Sequence, residues 1–211
     1  MRALGRDPPR VASMHLDTKR KLHSFTGLFP LGAYLLFHAY EHMAVRNGRD
    51  AVIASLARSS NAPLEIAVVL VPLLGHAVFG IRLARSQDPS PAYASQAFRR
   101  LQAYTGMVTA LFVVVHVGTV WLPRVLAGRP AAAYGALTEQ VGALPVAALY
   151  ALGVSAACIH FAQGLSAVLI RNRVLGISTL LARGVAVVVG TLLWLTFVNE
   201  LMAYATGAPL L

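Results

Sequence analysis

The sequence predicts an all-α, polytopic membrane protein: five transmembrane helices in a bundle, N-terminus cytoplasmic and C-terminus outside. Three observations lead there. The 211 residues are 57% hydrophobic and only 12% charged, with mean hydropathy +0.64, whereas soluble domains carry about 25% charged residues. Five runs meet the roughly 20 apolar residues that a spanning helix needs, and none alternates with the period of two expected of a barrel strand. The 18 Lys and Arg, against 8 Asp and Glu, gather at the edges of those runs. That distribution suits anionic lipid or an acidic soluble partner, and not nucleic acid.

In chain order, residues 1–22 are polar and basic, with Arg2, Arg6, Arg10, Lys19, Arg20 and Lys21 around Pro8-Pro9. They read as a cytoplasmic arm and not as a cleavable signal peptide. The membrane domain, 23–205, holds spans at about 24–44, 63–85, 101–122, 142–170 and 176–204. The last two are long enough to tilt or to project beyond the bilayer. Turn residues separate the spans: Arg46-Asn47-Gly48-Arg49-Asp50, Asp88-Pro89-Ser90-Pro91, 123–130 between two prolines, and Arg171-Asn172-Arg173. Residues 51–59 and 131–141 predict short helices at the surface, and 206–211 form a tail. With the N-terminus inside, thirteen Lys and Arg fall on the cytoplasmic side, among them Arg82, Arg85, Arg99, Arg100, Arg171, Arg173 and Arg183. Five fall outside: Arg46, Arg49, Arg58, Arg124 and Arg129. The bias fixes the orientation.

An imidazole inside an apolar span is costly unless something repays its desolvation. Four spans carry one: His38, His76, His116 and His160. At a rise of ~1.5 Å per residue, His38 and His116 lie roughly 25 Å from the inner boundary. On the same rise, His76 and His160, on inward-running helices, lie roughly 9–16 Å from it. The histidines therefore sort into an outer and an inner pair, each drawn from alternate helices. Two imidazoles at one level suit axial ligation of a haem, with irons on the order of 15 Å apart by the same depths. Gly75, Gly80, Gly118, Gly153 and Gly164 lie near these histidines. They suit either the close approach of a flat macrocycle or ordinary small-residue helix packing. A zinc site would want four ligands at one depth, and the single Cys158 excludes an intrachain disulfide.

The segments KLHSFTGLFPLGAYLLFHAYEHMAV (21–45), VPLLGHAVFGI (71–81), RLQAYTGMVTALFVVVHVG (100–118) and ALGVSAACIHFAQGL (151–165) resemble a known family. It is the single-polypeptide, five-helix, di-haem cytochrome b anchor of succinate dehydrogenases and quinol:fumarate reductases. The resemblance implies two haems b, the inner on His76 and His160 and the outer on His38 and His116. It further implies menaquinone or another quinone as substrate, and a flavoprotein and an iron–sulfur subunit docked on the cytoplasmic side of a bacterial inner membrane. A dimer or trimer of such complexes is compatible with it. The chain has no nucleotide fingerprint and no cysteine cluster, so succinate chemistry would sit on those partners.

Other residues have two readings each. His42, one turn beyond His38, is an alternative outer ligand or an interfacial histidine. His23 belongs to the LHS motif and would serve a haem propionate or proton movement, or simply mark the boundary. The resemblance makes Glu65 an acid/base group near an outer quinone site; the bland alternative is a glutamate favoured at a helix N-terminus. By depth, Arg82 would face the inner propionates and Arg46 or Arg49 the outer. Some fumarate reductases of this family carry a glutamate implicated in transmembrane proton movement where this chain has Cys158, a departure that argues against that route here. Two competing functions remain open: the anchor of another respiratory complex (hydrogenase or formate dehydrogenase type), and a haem-free histidine-containing transporter.

Overall fold

A computed structural model describes residues 10–85, 95–172 and 176–208. The expected turn at Asp88-Pro89-Ser90-Pro91 and Arg173 of the last loop lie outside the described residues. All regular structure among the described residues is helical: α1 (Arg10–Thr26), α2 (Ala33–His42), α3 (Arg49–Ser59), α4 (Ala62–Glu65), α5 (Val71–Arg85), α6 (Gln96–His116), α7 (Leu122–Ala127), α8 (Pro130–Val141), α9 (Leu144–Arg171) and α10 (Thr179–Thr206).

Several of these are parts of longer rods joined by π turns at Gly27–Gly32, Ile66–Leu70 and Val117–Trp121. A proline lies in or just beyond each: Pro30, Pro72 and Pro123. Proline lacks the N–H of an α turn and its ring crowds the carbonyl four residues back; a wider turn relieves both. Helix starts follow their caps. Asn61 accepts from the Leu64 amide, Ser95 from Phe98 and Ser178 from Leu181, satisfying amides that have no partner inside the helix. Gly128 and Gly207 end α7 and α10 in the left-handed conformation, where a Cβ is unfavourable.

Among the described residues, four helices are long and apolar enough to cross a membrane: Ala62–Arg85, Gln96–Ala127, Leu144–Arg171 and Thr179–Thr206. The expected span at 24–44 is helical but kinked, Phe29 taking φ −88° and ψ −109°. It also carries His38, Glu41 and His42, and it is not among those four. The short helices expected at 51–59 and 131–141 are α3 and α8.

α9 is the central rod, packed along α6 and α10, while α1 and the turn after it contact α5 and α9. Buried side chains concentrate at one end. There Val45, Val52, Leu56, Val120, Leu137, Val141, Tyr150 and Tyr204 form one cluster under α3 and α8. A smaller cluster of Ala39, Cys158 and Leu193 lies along α2, α9 and α10. Leu111, Val114, Val187 and Leu192 project outward, as lipid-facing residues do.

Candidate functional site

One cavity of about 520 Å³ runs through the bundle, and His23, His38, His42, His76, His116 and His160 all line it. The structure brings four of them into two pairs. The ring centroids of His76 (α5) and His160 (α9) are 6.1 Å apart with planes at 84°. Those of His38 (α2) and His116 (α6) are also 6.1 Å apart, at 73°. An imidazole nitrogen binds a first-row metal at about 2 Å, so two imidazoles on opposite sides of one iron have centroids about 6 Å apart. The spacing of both pairs fits that requirement.

The second ring nitrogens decide which lone pair is free. His76 Nδ1 is 3.1 Å from the His23 carbonyl, and His160 Nδ1 is 3.0 Å from the Gln102 carbonyl. A carbonyl only accepts, so in both rings Nδ1 carries the proton and Nε2 keeps a lone pair. Gln102 Nε2 donates to the His160 carbonyl in return, at 3.3 Å, tying α6 to α9. His116 reaches the same tautomer by another route. The Tyr150 hydroxyl donates to Gln140 Oε1 at 3.2 Å, leaving its oxygen to accept from His116 Nδ1 at 3.4 Å. Fixing a ligand imidazole through its other N–H is the usual arrangement around bound metals.

The remaining sequence candidates fall as follows. His23 stacks on His76 at 3.9 Å with planes 13° apart, and its buried Nδ1 has no hydrogen-bond partner among the described residues. His42 is edge-on to His38 at 4.4 Å and hydrogen-bonded through Nδ1 to the Tyr204 hydroxyl at 3.0 Å. Glu65 lines the cavity and accepts hydrogen bonds from Trp121 Nε1 and Arg124 Nη2, the latter also an ion pair. Arg82, Arg46 and Arg49 are exposed and lie outside the cavity wall. The basic residue lining the cavity is Arg124, which sequence reasoning assigned only to an outer loop.

Of the glycines near the histidines, Gly164 lines the cavity. Gly75 and Gly118 face open space, Gly80 abuts His23, and Gly153 abuts the Phe112 ring. The sequence assigns no role to Glu200 near the end of the last helix, yet it is 3% exposed and lines the cavity beside Tyr204. Its neighbour Asn199 is 1% exposed. A helix as uniformly apolar as α10 gives no periodic signal for which face turns inward.

The donor set also bears on what could be held. Among the described residues no group of three or more His, Cys, Asp or Glu converges on a point. A pair of imidazoles suits a group that brings its own equatorial ligands, as a porphyrin does.

The chain is 29% identical over 154 residues to the succinate dehydrogenase cytochrome b558 subunit of Bacillus subtilis (strain 168), a match covering 69% of this chain and 75% of that protein. No protein-family model and no solved structure matches. The relative supports the resemblance carried by the sequence motifs, and the apolar helices agree with a multi-pass membrane protein.

Proposed function

We propose that the chain is the membrane-anchor cytochrome b subunit of a succinate:quinone oxidoreductase in a bacterial inner membrane. It would carry electrons through two bis-histidine haems b between a partner iron–sulfur subunit and a quinone, menaquinone by resemblance. The observation that carries this reading is the two imidazole pairs, each with ring centroids 6.1 Å apart, on the wall of one cavity. The Bacillus relative supports the succinate dehydrogenase assignment over a hydrogenase or formate dehydrogenase anchor.

His76 and His160 would hold the inner haem and His38 and His116 the outer, each through Nε2. When bound, a haem supplies reversible one-electron chemistry at iron, with a potential set by its ligands and surroundings. The chain fixes three of those ligands, His76, His160 and His116, by the hydrogen bonds to the His23 and Gln102 carbonyls and to Tyr150. His23, with a free Nδ1 on the cavity wall, would donate to a propionate of the inner haem, and Arg124 would serve the outer end. Glu65, oriented by Arg124 and Trp121, would pass protons to a quinone, whose two-electron reduction takes up two.

In this reading residues 24–44 form a fifth span. Its polar residues His38, Glu41 and His42 are tolerated because they line the cavity. The basic side of the bundle would face the cytoplasm and dock the flavoprotein and iron–sulfur subunits. The test is a pyridine haemochrome assay on the purified complex. Two haems b per chain are expected. A reduced-minus-oxidised spectrum with no b-type band would refute the reading and favour a haem-free transporter.

A further inference from the structure

The inner histidines are held by two stretches of sequence that are copies of one another. Residues 22–27 read LHSFTG and residues 101–106 read LQAYTG, a shared pattern of Leu, two variable residues, an aromatic residue, Thr and Gly. The copies do the same thing at the same positions. In each, the carbonyl of the second residue, His23 or Gln102, accepts the Nδ1–H of an inner histidine, at 3.1 and 3.0 Å. In each, the threonine hydroxyl reaches that same carbonyl, at 3.0 Å from Thr26 and 3.2 Å from Thr105, and also the carbonyl of the preceding leucine, at 3.1 and 2.8 Å; Thr26 Oγ1 further lies 3.3 Å from His76 Nδ1.

The glycine is what exposes the carbonyl. A helical Cβ leans toward the helix N-terminus, over the turn four residues back. The residue four beyond His23 is Gly27, and four beyond Gln102 is Gly106. A Cβ built on Gly27 would stand 2.6 Å from His76 Cε1, and one on Gly106 would stand 2.8 Å from His160 Cε1 and 3.0 Å from its Nδ1. Any side chain there displaces the ring.

The duplication extends to the outer pair. His38 follows Gly27 by eleven residues and His116 follows Gly106 by ten. The helix with the extra residue carries the π turn Gly27–Gly32, and a π turn takes in one residue more than an α turn. His38 and His116 thus keep equivalent registers above their glycines.

We infer that residues 22–27 and 101–106 are duplicated imidazole cradles, in which Gly27 and Gly106 are positioning residues for the inner haem ligands and have no part in holding the outer pair. The inference rests on the haem reading above. In the purified complex with its partner subunits, Gly27→Ala and Gly106→Ala should each change the inner haem and spare the outer. The inner haem, identified as the one lost in His160→Ala, should shift its low-spin ferric EPR signal, which follows the angle between ligand planes, and its potential. Gly27→Val and Gly106→Val should remove it, one haem of two. Gly75→Ala and Gly118→Ala, which meet nothing within 4 Å, should leave both haems as they are.

Should the glycine variants fail to assemble, Thr26→Val and Thr105→Val test the same carbonyls. Losing the hydroxyl removes a second donor from the carbonyl and, at Thr26, a contact to His76 Nδ1, so the potential of the inner haem alone should shift, with Thr→Ser restoring it. A wild-type complex without haem defeats the haem reading itself. A wild-type complex with two haems, whose Gly→Ala and Thr→Val variants keep wild-type signals or shift the outer haem instead, overturns the cradle.

Discussion

The two ends of the cavity hold the same chemical object, a pair of imidazoles 6.1 Å apart, in different ways. At the inner end the shorter hydrogen bonds run to backbone carbonyls, with the Thr26 hydroxyl 3.3 Å from His76 Nδ1, and glycines leave the space. At the outer end the surroundings are side chains. Tyr34, His42 and Phe197 surround His38, while Phe112 and Tyr150 pack on His116. Glu65, Arg124 and Glu200 line the same cavity. A backbone acceptor cannot be removed by substitution, so the inner geometry is fixed by the fold. A tyrosine or glutamate can be exchanged one residue at a time. The inner end is thus built for a constant environment, and the outer end, where quinone chemistry and its protons are proposed, for adjustment.

Removing ligands should break the comparison most sharply. His160→Ala should leave one haem b per chain, measured by pyridine haemochrome, and abolish electron passage from succinate to quinone. At the outer end the same experiment separates two candidates. His38→Ala should remove the outer haem and His42→Ala should retain it, because the His38 ring is the one set 6.1 Å from His116 while His42 Nδ1 is engaged with Tyr204. Loss of haem in His42→Ala alone would make His42 the ligand.

Next in size is the acid at the outer mouth. Glu65→Gln keeps an oxygen for Trp121 and Arg124 but no longer exchanges a proton. Quinone-linked turnover should fall about 10²-fold, the usual scale for losing a positioned acid or base, with both haems still present. Turnover unchanged at full haem content would reduce Glu65 to an ion-pair partner of Arg124.

Much of the membrane domain was legible in the residues. Long apolar runs broken by Gly, Pro and charge located the four rods that are long and apolar enough to span among the described residues, and imidazoles inside them stand out because almost any other placement would be cheaper. Depth counting assumes a helix that advances at a constant rise, and the helix carrying His38 is kinked at Phe29 before it reaches that residue. What was not legible depends on contacts across helices. A glycine's meaning lies in what approaches its missing Cβ, so Gly75 beside His76 looked informative and faces open space, while Gly27 on another helix holds that ring. Arg124 reads as loop charge until α7 turns its guanidinium onto Glu65. The prolines were visible as punctuation, but not the π turns through which the helices continue past Pro30, Pro72 and Pro123.

The smallest expected effect is the most specific to the side-chain-built end. Tyr150→Phe keeps the ring against Phe112 and removes only the hydroxyl linking His116 Nδ1 to Gln140. A single such hydrogen bond is worth about 1 kcal/mol, so the complex should assemble with both haems. His116 Nδ1–H would lose its acceptor, the imidazole would become a weaker electron donor to iron, and the outer haem's potential should rise while the inner stays constant. Redox titration of the two haems reads this directly. A shift in both, or in the inner haem alone, would mean that the two ends are not the separate environments their hydrogen bonds describe.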